Sequence, residues 1–124
     1  MIHLDTSTLV DALAGSRRSA GGLRRAFEQG ERVEISAIVL YEWLRGPRRE
    51  SELDDQEALF PRADAVPFDA ETAAVAANLY ARLPRPRGRE IDLAIAASAI
   101  VRSAKLWTLN HSAFADIPDL VLFR

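Results

Sequence analysis

Cysteine is absent from the 124-residue chain. Disulfides and thiolate-bound zinc are therefore excluded, and any metal must be held by oxygen or by the two histidines, His3 and His111. Lysine is nearly absent too, since Lys105 is the sole non-arginine among 16 basic residues. No run of about 18 apolar residues exists to cross a membrane. The opening also lacks the basic stretch and long apolar core of a secretory leader, so the protein reads as cytoplasmic. No glycine-rich turn follows the first apolar segment, which removes the phosphate-cradling signature of a dinucleotide-binding domain. There is no internal repeat, low-complexity tract or flexible linker. With a length suited to one core, residues 1–124 read as a single domain.

Hydrophobic residues at 48% against 27% charged ones are enough for a packed core and unlike a disordered chain. The net charge of -2 argues against a uniformly basic nucleic-acid coat. Arginines nevertheless gather at Arg45, Arg48 and Arg49 and again at Arg82, Arg85, Arg87 and Arg89, while acids crowd Glu50 to Glu57. Such clusters are ordinary solvated faces unless they meet phosphate, whose oxygens the planar guanidinium matches with paired hydrogen bonds.

Hydrophobic period places the elements. "MIHL" reads as a strand, "TSTLVDALAG" as a helix stopping at Gly15, and Gly22 to Gln29 as a second helix. "RVEIS" alternates as a strand should, and Ser36 is suited to cap the apolar helix that ends at Gly46-Pro47. "SELDDQEALF" reads as a polar helix and "AVPF" as an edge or irregular strand, because Pro67 has no amide proton for a central ladder. Helices follow over Ala70 to Leu83 and Ile91 to Ala104, then the strands "LWTL" and "LVLF". Short apolar strands separated by helices predict a three-layer α/β/α fold around a parallel sheet of about five strands.

Three acids stand out against this pattern. Ligands of open parallel sheets bind beyond the carboxyl ends of the strands, and Asp5 ends the first one. Alone it reads as a helix cap, although Thr6, Ser7 and Thr8 beside it would serve that purpose equally. Glu42 lies among Ile38, Val39, Leu40, Tyr41, Trp43 and Leu44, past the reach of capping. An unpaired carboxylate buried there costs several kcal/mol, so it must be exposed, paired with Arg45, protonated or bound to a cation. Asp92 opens the late helix ahead of Leu93, Ala94, Ile95, Ala96 and Ala97. If these helix starts converge at one sheet edge, the carboxylates repel one another unless a divalent cation neutralises them. Magnesium or manganese suits an all-oxygen set.

The order "LDTSTLVDAL", "ISAIVLYEWLRG", "EIDLAIAASAI" and "LWTLNHSAFADIPDL" resembles the PIN-domain ribonucleases, specifically the VapC toxins of type II toxin–antitoxin modules, over nearly the whole chain. The resemblance implies a magnesium-dependent acidic pocket that cleaves RNA, homodimerisation and neutralisation by a small antitoxin protein. Asp5, Glu42 and Asp92 match the family's three main acids. Ser7 matches the small polar residue after the first acid, and Asn110 matches a polar position after the late strand. Where the family often carries a fourth acid, this chain has Ala113, with Asp116 near enough in sequence to substitute. Arg85, Arg87 and Arg89 are candidate contacts to the RNA backbone, and Trp43, Trp107 or Tyr41 candidates for base stacking.

Two alternatives differ in class. A PIN fold that binds RNA or a partner without cutting is compatible with Ala113. A phosphoacceptor receiver domain also gathers acids at strand ends, but it needs an acidic pair after the first strand and a lysine after the last. Here Thr6 follows Asp5, and Lys105 precedes a strand. Chemistry based on His3 and His111 lacks its remaining parts.

Overall fold

In the computed structural model, which describes all 124 residues, four parallel strands form one sheet. They are β1 (Ile2–Leu4), β2 (Val33–Glu34), β3 (Lys105–Trp107) and β4 (Val121–Leu122), in the order β2-β1-β3-β4. The central strand β1 is buried at all three positions, as expected of a parallel strand covered on both faces, with His3 as its one polar residue. Its register is set by Ile2 against Val33 on one side and Lys105 on the other.

The fifth expected strand shrinks to a single parallel bridge between Ser36 and Val66. Val66 donates to the Ile35 carbonyl at 3.0 Å and accepts from the Ala37 amide at 2.8 Å. Pro67, having no donor, ends the ladder there.

Helices α1 (Thr6–Leu13), α2 (Ala20–Glu28), α3 (Ala37–Arg45) and α4 (Glu50–Leu59) follow the steps from β1 to β2 and on to Val66. Helices α5 (Ala70–Arg82) and α6 (Glu90–Val101) make the return to β3. Parallel crossovers are right-handed, so steps in opposite directions lay their helices on opposite faces. Accordingly α1 packs on α2, α3 and α4, α5 packs on α6 and α6 on β3, while α3 and α6 also meet each other. Helix α6 is buried without interruption from Leu93 to Ala99, and its alanines allow close approach on both sides. Capping follows local chemistry: Ser36 Oγ accepts from the Val39 amide at 3.2 Å, and Asp69 Oδ1 accepts from the Thr72 amide at 2.9 Å. A core of 22 buried residues, with Trp43, Phe114, Leu4, Leu106 and Ile95 among its largest, joins these layers.

The chain leaves β1 toward β2 and leaves β3 toward β4, so connections diverge at the β1/β3 crevice. That is where open parallel sheets place ligands.

Candidate active site

Asp5 emerges from β1 at this crevice with only 5% of its surface exposed. Its backbone stands at the cap position of α1, yet its side chain accepts nothing from the helix amides. Instead Oδ2 accepts two hydroxyls, from Ser7 at 2.8 Å and from Thr108 at 2.7 Å. The capping explanation of this aspartate therefore fails, and a buried carboxylate is oriented by hydroxyls from both strand ends. Ser7 also accepts the Leu109 amide at 3.1 Å, and Thr108 accepts the Asn110 amide at 3.0 Å. The loop after β3 is thus tied to the acid after β1.

Glu42 is partly buried on α3. Its Oε1 accepts from Thr6 Oγ1 at 2.5 Å, and its Oε2 faces Arg45 Nη2 at 3.2 Å. The pairing with Arg45 accounts for a carboxylate in an apolar helix, and Thr6 links it to α1.

Asp92 sits in the first turn of α6. Burial first, then the charges of Asp5 and Glu42, push its carboxyl above the ordinary carboxylate range, and the nearby Arg89 only partly opposes them. Three acids distant in sequence therefore share one electrostatic environment.

The arrangement is nonetheless more open than the expected cation-sharing cluster. No three carboxylate or imidazole groups lie close enough together to enclose an ion. Arg45 and Thr6 draw Glu42 aside, Ser7 and Thr108 hold one oxygen of Asp5, and mutual repulsion favours the separation. In donor chemistry the set still fits a hard divalent cation: it is all oxygen, anionic, and strained by like charge at Asp92.

The remaining sequence candidates fall into distinct places. Asn110 is exposed at the same edge, where its Oδ1 accepts Ser112 Oγ at 3.3 Å. Arg89 and Asp116 engage each other through two hydrogen bonds of 3.0 and 2.6 Å, and Arg89 also donates to the Ala113 carbonyl at 3.0 Å. This fork lifts Arg89 above its ordinary value and holds Asp116 below its own. Both oxygens of Asp116 are occupied by the guanidinium, so in this arrangement it joins the start of α6 to the loop after β3. Arg89 is correspondingly engaged within the protein, whereas Arg85 and Arg87 are exposed. His3 is buried in a separate cluster with Glu34, and His111 is exposed beside Asn110.

Sequence reading missed Thr6 and Thr108 as the hydroxyls that hold the acids. Their signal was present, as polar β-branched residues within two positions of a strand end in "LDTST" and "LWTLN".

Comparison with known proteins places this geometry. Residues 2–120 match the model of the PIN domain. The chain is 37% identical over 120 residues, 94% of either chain, to Ribonuclease VapC19 of Mycobacterium tuberculosis. Among solved structures it resembles VapBC2 from Rickettsia felis bound to a DNA fragment from their promoter, at 28% identity and TM-score 0.79, covering 99% of this chain and 98% of that one. It also resembles DNA-bound VapBC from Salmonella typhimurium, at 25% identity and TM-score 0.78, covering 98% and 96%. With a parallel sheet in the order β2-β1-β3-β4 and a family match over residues 2–120, this chain belongs to the PIN-domain family.

Proposed function

We propose that the protein is a magnesium-dependent endoribonuclease, the toxin of a toxin–antitoxin module, folded as one PIN-like domain over residues 1–124. The carrying observation is the approach of Asp5 from the end of β1, Glu42 from α3 and Asp92 from the first turn of α6, close enough for the charges of the first two to act on the third. The likeness to a ribonuclease and to VapBC assemblies agrees with this reading and supports an antitoxin partner.

Asp5, Glu42 and Asp92 would hold the magnesium, with manganese as a substitute of like chemistry. When bound, the ion supplies charge neutralisation at the phosphodiester and an acidified water. The chain's own residues do the rest. Ser7 and Thr108 fix Asp5 by occupying its Oδ2 and leave Oδ1 without a hydrogen-bond partner in the protein. Asp92 supplies its ligand oxygen from the first turn of α6, where burial and the charges of Asp5 and Glu42 make a cation favourable. Asn110 at the loop after β3 is placed to donate to a phosphate oxygen, and exposed Arg85 and Arg87 to hold the RNA backbone. Arg45, exposed beside Glu42, is a further candidate to hold a phosphate.

Purified protein should cut structured RNA with magnesium and stop when the metal is chelated. Asp5→Asn and Asp92→Asn should each lower the rate by at least about a hundredfold while melting cooperatively, the scale on which single catalytic groups act. Cleavage persisting in both variants overturns the proposal. Stable RNA binding with no cleavage under any divalent metal would instead favour the non-cutting binding module.

A further inference from the structure

Between α2 and the β3–β4 side of the sheet lies a cleft of about 460 Å³ whose walls include Gly22, Arg25, Trp107, His111 and Phe123. The Trp107 and Phe123 rings stand 5.0 Å apart at 45°, and Trp107 is only half-buried. Gly22 makes this possible. A β-carbon there would come within 3.0 and 3.2 Å of the indole ring and 3.8 Å of the Arg25 guanidinium, so the bare backbone lets both groups lie side by side. Glu31 is the one acid in the lining, and the N-terminal ammonium already faces it at 3.3 Å. Arg25 and His111 are exposed. The other aromatic candidates differ: Trp43 is fully buried beneath Arg48, and Arg45 lies over the Tyr41 ring.

Trp107 and His111 link the cleft to the strand ends that carry the acids. The Trp107 carbonyl accepts from the Asp5 amide at 2.9 Å and from Thr8 Oγ1 at 2.8 Å, and His111 directly follows Asn110. We propose that this cleft is a subsite for an unpaired nucleotide of the RNA strand, its base against Trp107 and Phe123 and its phosphate held by Arg25 and His111. The proposal rests on the ribonuclease reading above and adds the direction in which the strand leaves the acids. An aromatic face beside a guanidinium accepts any base by stacking and its phosphate by charge, so the subsite contributes affinity with little base preference.

The test is a titration of the full-length protein, in chelator, with an unstructured oligoribonucleotide of about nine residues, read by tryptophan fluorescence. Because Trp43 is sealed, quenching reports Trp107. Binding should quench the signal. Arg25→Glu, at an exposed position that leaves folding intact, should weaken affinity about tenfold and reduce the salt slope by about one. Trp107→Ala should abolish the quench and weaken affinity about tenfold or more, and a variant that binds like wild type overturns the subsite. Protein that cuts RNA with magnesium but shows no quench, and whose Arg25→Glu variant binds and cuts like wild type, overturns the subsite while the nuclease reading stands. Protein that is quenched and sensitive to Arg25→Glu but never cuts RNA supports the subsite and overturns the nuclease reading.

Discussion

Replacing Thr108 with valine removes one buried hydroxyl while keeping the shape of the side chain. Thr108 is 1% exposed and donates to Asp5 Oδ2 at 2.7 Å, so valine leaves a 5% exposed carboxylate with one fewer donor. A hydrogen bond to a charged group is worth about 1.5–3 kcal/mol, and its loss to a buried acceptor is not made good by water. The Asn110 amide, which Thr108 also accepts, belongs to an exposed residue and finds solvent, so its share is small. The expected destabilisation is therefore about 1.5–3 kcal/mol, or a fall in Tm of about 6–12 °C at this chain length. Thr108→Ser keeps the hydroxyl and loses one methyl, and should cost about 1 kcal/mol. Differential scanning fluorimetry with both variants, repeated in an Asp5→Asn background, separates the causes. If the charge on Asp5 is what Thr108 serves, the valine penalty should shrink by about 1 kcal/mol or more when residue 5 is neutral. A valine variant as stable as wild type, or a penalty unchanged by Asp5→Asn, refutes the assignment of Thr108 as the residue that positions Asp5.

Acid should destabilise the protein through His3 and Glu34. Burial, opposed by the hydrogen bond to Glu34, lowers His3 below its ordinary 6.5. Burial acts to raise Glu34, but the bonds from Arg102 and His3 together outweigh it and hold it below 4.5. Both groups bind protons more readily when unfolded. Stability should thus be full above about pH 6.5, decline below it through His3, and decline further below about pH 4.5 through Glu34. Tm measured across this range should flatten in its upper part in a His3→Gln variant, and an unchanged slope would contradict the reading. Asp116→Asn should cost under about 1 kcal/mol in urea denaturation, since Asp116 is half exposed, and should leave cleavage largely intact; loss of cleavage comparable to that of Asp92→Asn would restore Asp116 as a fourth acid. Ala97→Leu, at a position with no exposed surface in α6, should overpack the core and cost about 1–3 kcal/mol or more, and a neutral result would show slack that the packing does not contain.

The sequence alone determined the alternation of strands and helices, the parallel sheet and the three acids that interrupt apolar runs. Those features are written in local periodicity and in residues placed where burial makes them expensive, as with Glu42 beside Trp43 and Asp92 before Leu93. Only the tertiary structure decided how these pieces combine. It reduced the edge strand at Val66 to one bridge, assigned Asp116 and Arg89 to each other, and set Thr6 and Thr108 against the acids. Each of these outcomes depends on groups between 27 and 103 positions apart along the chain meeting at one place. Spacing within a helix or strand carries no information about such meetings, because they are fixed by strand order and crossover direction.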